Sequence, residues 1–343
     1  MVELLGLVLI SFFVTSFLLI PFINFLFYLK NRRRSLSLSK AGPGTNFPRT
    51  DTPIHNQLLA GKDLETPVGG GILVIVIITV LSLLISLFSP LINMSELFIL
   101  IFTFLSFGAI GLIDDLRKMF MVFSGKYVGL RARYIIGLQI FFATIVSLLL
   151  YYQIGLNNIF VPIFGNIILG WWYIPLAVFA IVAFSNAYNI SDGLDGLSSG
   201  LLAICLFAFL VLAHTVFDNT LGLFVGLWIG ALIAYLYFNV YPARIYLGDA
   251  GAYSFGATLA VVGLLTGKII GLAVIGGVYI VIVASSLIQM FSKRLFKKKV
   301  FPVAPIHMYF KYIGWEEPKI VMRFWLAGTI FAILGLWLAF ISR

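Results

Sequence analysis

The chain has 343 residues, of which 61% are hydrophobic and only 10% charged, and its net charge is +10. A soluble domain carries about 25% charged residues, so this composition excludes an ordinary soluble protein and points to a chain that lives in lipid. The single cysteine, Cys205, lies in an apolar run and excludes a disulfide or a thiolate metal site within the chain.

A membrane helix needs about 20 mostly apolar residues. The sequence predicts ten such spans, over about 4–29, 68–89, 96–113, 134–152, 172–190, 197–217, 221–238, 251–266, 270–291 and 323–341. The first lacks a basic leader and a small-residue cleavage site, so it is read as a retained helix. Between the fourth and fifth spans, Asn157, Asn158, Pro162, Gly165 and Asn166 alternate with apolar pairs and predict a small external hairpin. No internal repeat stands out. The expectation is an all-α membrane protein with about ten transmembrane helices, forming a single polytopic domain over residues 1–343.

Twenty-one of the 23 Lys and Arg residues fall within 30–66, 114–133, 239–250 and 292–323. Loops rich in Lys and Arg stay on the cytoplasmic side, which places both termini outside. The excess positive charge is assigned to these loops, to anionic headgroups and to acidic substrates, with no role for nucleic acid.

A carboxylate near hydrocarbon is costly unless it faces water, a partner or a metal. Five aspartates sit at span ends on the face assigned to the cytoplasm: Asp114, Asp115, Asp192, Asp195 and Asp249. Asp114 and Asp115 end the third span, with Lys118 just beyond. Paired carboxylates suit Mg²⁺ or a proton-accepting base, although an Asp-Asp with a neutralising Lys is also an ordinary polar helix end. Asn186, Asn189, Asp192 and Asp195 recur every third residue, which on a helix gives a polar arc beside an apolar span. Gly193 and Gly196 let the backbone approach a ligand closely, although the stretch is also readable as a polar loop with an Asp-Gly turn. Asp249, between Gly248 and Gly251, suits a metal ligand or a plain helix cap. The fourth site is Pro305-Ile306-His307-Met308-Tyr309, followed by Gly314-Trp315-Glu316-Glu317-Pro318 and Arg323. There His307 is a candidate phosphate or sugar contact, or simply a solvated loop histidine.

In this order the motifs resemble the polyprenyl-phosphate N-acetylhexosamine-1-phosphate transferases. The likeness runs through Thr66-Pro67-Val68-Gly69-Gly70-Gly71, Asp-Asp-x-x-Lys at 114–118, Asn-x-x-Asn-x-x-Asp-Gly-x-Asp-Gly at 186–196, and Gly-Asp-x-Gly at 248–251. The tail from Pro305 to Arg323-Phe324-Trp325 is most similar to the members that make lipid I. The resemblance implies transfer of phospho-MurNAc-pentapeptide from its UDP-sugar to undecaprenyl phosphate, releasing UMP, in the bacterial cytoplasmic (inner) membrane. It implies Mg²⁺ held by Asp249 and a catalytic set of Asp114, Asp115, Lys118 and His307. Lys62, Asn186, Asn189, Asp192 and Asp195 are implied to bind substrate, and the chain to pair as a homodimer. Two departures bear on the sugar. Lipid I synthases usually carry three consecutive histidines where this chain has His307-Met308-Tyr309, and the stretch from Lys62 to Glu65 also differs. The alternative donor within the family is UDP-N-acetylglucosamine. An ion transporter is the alternative outside it, and that would place its carboxylates near the bilayer midplane in related halves.

Overall fold

The computed structural model describes residues 2–38, 66–121, 129–215 and 218–341. Lys62 lies outside the described residues. The order is α1 (Val2–Leu38), α2 (Gly70–Ser86), α3 (Met94–Met121), α4 (Ala132–Tyr152), β1 (Asn158–Val161), β2 (Gly165–Ile168), α5 (Tyr173–Ser191), α6 (Leu197–Thr215) and α7 (Asn219–Asn239). It continues with α8 (Gly248–Leu265), α9 (Ile269–Ile275), α10 (Gly277–Leu295), α11 (Ile306–Tyr312) and α12 (Glu317–Phe340). Among the described residues nine helices are long and apolar enough to cross a membrane, and α2 is a shorter apolar helix. The ten expected spans are therefore all present as helices. The ninth is corrected: it is not one continuous helix but α9 and α10, broken at Gly276. A Cβ on Gly276 would lie 2.4 Å from the Phe184 ring, so α5 packs against the chain at the break.

Packing explains the least hydrophobic span. The best window of α8 has a mean hydropathy of only 1.2, yet 83% of it is buried. Lipid offers no hydrophobic drive for helices to associate, so membrane interfaces use small residues and interhelical hydrogen bonds. α8 has both. A Cβ on Gly256 would sit 2.4 Å from the Phe184 carbonyl. Ser254 donates to the Phe104 carbonyl at 2.7 Å, and Ser185 donates to the Tyr253 carbonyl at 3.1 Å. α3 and α5 thus close on α8 from two sides. At the centre, Phe104 stacks on Phe255 at 5.6 Å, and Trp228 of α7 meets both rings edge-on. α1 lies on α7, where Gly230 would clash with the Val8 carbonyl if it carried a side chain. Only 17% of the apolar window of α1 is buried, although Thr15, Leu19 and Ile23 are packed inside.

The strands form the expected hairpin, with Asn158 opposite Ile168 and Val161 opposite Gly165. Its Phe160 N–H donates to the Gly267 carbonyl at 3.2 Å, and the Lys268 ammonium stands 3.3 Å above the Phe160 ring. The hairpin therefore sits at the end of α8 opposite Asp249. Leu4 beside Gly222 and Ala339 beside Gly271 bring both ends of the described chain to that same end. Ile163, Phe164, Trp171 and Trp172 are exposed there.

Candidate active site

The site is assembled by a backbone zipper that the sequence did not announce. Tyr246 N–H donates to the Pro67 carbonyl at 2.9 Å, Gly69 N–H to Tyr246 at 3.0 Å, and Gly71 N–H to Leu247 at 2.9 Å. The Thr66–Gly71 motif is thereby laid along the strand-like entry to α8. Two motifs that looked independent prove to be mates: a Cβ on Gly71 would lie 2.4 Å from the Gly251 Cα. From the other side, a Cβ on Gly111 would fall 2.1 Å from the Asp249 carbonyl, so α3 approaches the first turn of α8 at backbone distance. Only glycine permits contacts this close.

That approach brings Asp114, Asp115 and Lys118 to Asp249. The Lys118 ammonium lies 2.7 Å from Asp114 Oδ2 and also pairs with Asp249 Oδ2. Asp249 Oδ1 accepts from Asn189 Nδ2 at 3.0 Å. Asp114 Oδ1 accepts the Leu130 N–H at 2.5 Å. Asp249 stands in the first turn of α8 and its side chain makes no cap; Leu247 holds the cap position. The capping is done by Asp115, whose Oδ2 accepts the Ala250 N–H at 3.1 Å. A carboxylate at a helix N-terminus satisfies an orphan donor and matches the positive end of the helix dipole.

The arc expected at 186–195 is interrupted, because α5 ends at Ser191 and Asp192 leaves the helical conformation. Asn189 reaches Asp249. Asn186, almost one turn earlier, donates to Gln139 Oε1 at 2.7 Å and to the Val182 carbonyl at 2.8 Å. Asp192 Oδ1 accepts from Ser198 at 2.5 Å. Asp195 is buried; its Oδ2 accepts the Ala243 N–H at 3.0 Å and its own N–H donates to Glu317 Oε1 at 2.7 Å. His307 is 1% exposed, so it is not a solvated loop residue. It belongs to the short helix α11, and a Cβ on Gly193 would meet its Nε2 at 2.7 Å. The predicted residues therefore fall into two neighbouring groups. One is Asp114, Asp115, Lys118, Asn189 and Asp249. The other is the Asp192–Gly196 loop with His307.

Gln139 and Glu317 were missed as members of the site. Gln139 is fully buried, and a lone amide within a span is itself a signal. In the sequence Glu317 stands out only as part of the tail motif.

Among the described residues no three His, Cys, Asp or Glu side chains form a metal-binding group. Mg²⁺ nonetheless fits the first group by its chemistry. It takes hard oxygen donors, commonly one or two carboxylates completed by substrate phosphates, not an all-protein cage. The space between Asp114 and Asp249 already holds a cation, the Lys118 ammonium.

Comparison with known proteins shows the family. The family model Glycosyl transferase family 4 matches residues 97–267, which span Asp114 to Asp249. A phospho-N-acetylmuramoyl-pentapeptide-transferase of Bacillus pumilus is 32% identical over 330 residues, covering 95% of each chain. One of Caldanaerobacter subterraneus subsp. tengcongensis is 35% identical over 307 residues, 89% of this chain and 90% of its own. One of a Geobacillus species is 33% identical over 333 residues, 96% of each. Likeness over nearly the full length, through α3, α5 and α8 where the carboxylates converge, decides the relationship: the chain belongs to the phospho-N-acetylmuramoyl-pentapeptide-transferase family.

Proposed function

We propose that this protein transfers phospho-MurNAc-pentapeptide from UDP-MurNAc-pentapeptide to undecaprenyl phosphate, forming lipid I and UMP for peptidoglycan synthesis. The observation that carries the reading is the Lys118 ammonium bridging Asp114 and Asp249 at one end of an apolar bundle. A water-soluble diphosphate and a lipid phosphate can meet only at such an end. The richness of the loops at that end in Lys and Arg supports a cytoplasmic side for it and an outer side for the hairpin, in a bacterial cytoplasmic membrane.

The acceptor phosphate oxygen attacks the sugar-bearing phosphorus, and the bond from that phosphorus to the UMP oxygen breaks. Phosphoryl transfer asks mainly for positioning and charge neutralisation. Lys118 provides a cation at the reacting phosphates. A carboxylate of the Asp114–Asp115 pair takes the proton of a monoprotonated acceptor. Asn189 orients Asp249 through the 3.0 Å bond. His307 and the Asp192–Gly196 loop hold the donor, with Asp195 bracing the loop through Ala243. Asp249 would hold Mg²⁺, which when bound would supply charge screening of the donor diphosphate.

The shared name of the relatives favours the muramoyl-pentapeptide donor over UDP-N-acetylglucosamine. Purified protein, undecaprenyl phosphate and each radiolabelled UDP-sugar in turn make the test. Labelled lipid from UDP-MurNAc-pentapeptide is expected; labelled lipid from UDP-N-acetylglucosamine alone would transfer the chain to the other donor class.

A further inference from the structure

Glu316 and Glu317 are adjacent at the start of α12, yet they live differently. Acidic residues in a first helical turn commonly stand in water and complement the dipole, as the exposed Glu316 does. Glu317 is 6% exposed, and both of its oxygens are engaged. Oε1 accepts the Asp195 N–H at 2.7 Å, and Oε2 pairs with the Lys311 ammonium at 2.6 Å. A buried carboxylate is tolerated when it is paired and hydrogen-bonded in this way.

The two partners lie on opposite sides of one contact. Asp195 belongs to the loop that carries Gly193. Lys311 lies four residues after His307 on α11, hence on the same helix face. His307 Nε2 stands over Gly193. Glu317 thus grips the loop with one oxygen and the histidine's helix with the other. The grip also extends across the bundle. Asp195 Oδ2 accepts from Ala243 N, the Ala243 carbonyl accepts from Thr66 Oγ1 at 3.1 Å, and the Thr66 carbonyl accepts from Lys30 Nζ at 2.8 Å.

We infer that Glu317 is a positioning residue for the nucleotide-sugar donor, which clamps the Asp192–Gly196 loop against the His307 helix and uses Lys311 as its internal counter-ion. The inference rests on the proposed reading of that loop and His307 as the donor site. It concerns donor affinity and leaves the lipid acceptor aside.

Two double variants isolate the clamp. Lys311→Met with Glu317→Leu removes both charges and the acceptor together, and replacing a buried ion pair by apolar groups of similar size is often neutral for stability. Lys311→Met with Glu317→Gln removes the charges but keeps an oxygen for the Asp195 N–H. UDP-MurNAc-pentapeptide is titrated calorimetrically into each purified variant, with thermal unfolding and the acceptor KM measured alongside. The Leu variant is expected to bind donor at least about tenfold more weakly, about 1.4 kcal/mol, with the acceptor KM unchanged. The Gln variant is expected to recover most of the loss. Equal donor affinity in the two doubles, or parallel loss of donor affinity, acceptor KM and thermal stability, would overturn the clamp. Asp192→Asn separates the two claims. If it weakens donor binding while the clamp variants do not, the clamp alone is wrong. If neither affects the donor, the donor-site reading falls with it.

Discussion

Asp115 caps the helix that carries Asp249, its Oδ2 accepting the Ala250 N–H at 3.1 Å. The carboxylate pair at the end of α3 is therefore divided in its work. Asp114 faces Lys118, while Asp115 holds the frame on which Asp249 is mounted. Asp115→Ala is expected to lose about 1 kcal/mol of stability as a lost cap, whereas Asp115→Asn keeps an acceptor and its stability. Both are expected to lose transfer, by about 10² or more if the carboxylate is the base. Thermal unfolding of the two variants side by side checks this, and identical melting would dispose of the capping role.

Lys118→Met leaves Asp114 and Asp249 facing each other without their cation. Removing one partner of a buried pair costs about 3–5 kcal/mol; the Lys118 side chain is 32% exposed, so solvent screening makes the expected loss smaller. Millimolar magnesium is expected to raise the melting temperature of this variant more than that of the unaltered protein, because a divalent cation fits where the ammonium stood. An equal response in both proteins would remove this space from the metal site.

Gly193→Ala tests the histidine contact without touching the histidine. Its Cβ would lie 2.7 Å from His307 Nε2, so the ring has to move. His307→Ala is expected to reduce turnover by about 10² or more, Gly193→Ala to reproduce much of that loss, and Met308→Ala to matter little because Met308 is a buried apolar packing residue. Steady-state rates with UDP-MurNAc-pentapeptide decide it, and a Gly193→Ala enzyme of full activity would separate the loop from the histidine.

The orientation is open to thiol labelling, since the one native cysteine is buried. Asn166→Cys, on the exposed edge of β2, is expected to react with an impermeant reagent outside intact cells. Lys298→Cys, in the exposed basic turn after α10, is expected to react only after permeabilisation. Reversed reactivity would turn the protein over and put the donor on the wrong side.

Hydropathy made the helices legible because a span has to be apolar wherever it meets lipid. It was weakest at α8, which meets almost none, and it passed over the break at Gly276, where the Gly276-Gly277 pair interrupts an otherwise apolar run. The aspartates could be picked out because charge is rare in such a chain. Their division of labour could not. Nothing near Asp115 in the sequence names Ala250, which lies 135 residues away. Glu317 stands in the sequence only as part of the tail motif, because its partners, Asp195 and Lys311, are set by tertiary packing. The even spacing of Asn186 to Asp195 was legible as a motif and misleading as geometry, since the helix stops at Ser191.

The aromatic hairpin has a mechanical consequence at the far end of the molecule. Trp171 and Trp172, just past the hairpin, are side chains of the kind that settle at the headgroup level. Phe160 ties them to Gly267, just past the end of α8. α8 is a rod of 18 residues, about 27 Å at about 1.5 Å per residue, and its other end carries Asp249. The hairpin is thus expected to act as a float with α8 as its plumb line, setting the height of the carboxylates from the opposite surface. Transfer is expected to peak in vesicles of one acyl length: thicker bilayers draw the carboxylates below the phosphates they must meet, and thinner ones lift them clear of the lipid that delivers the acceptor.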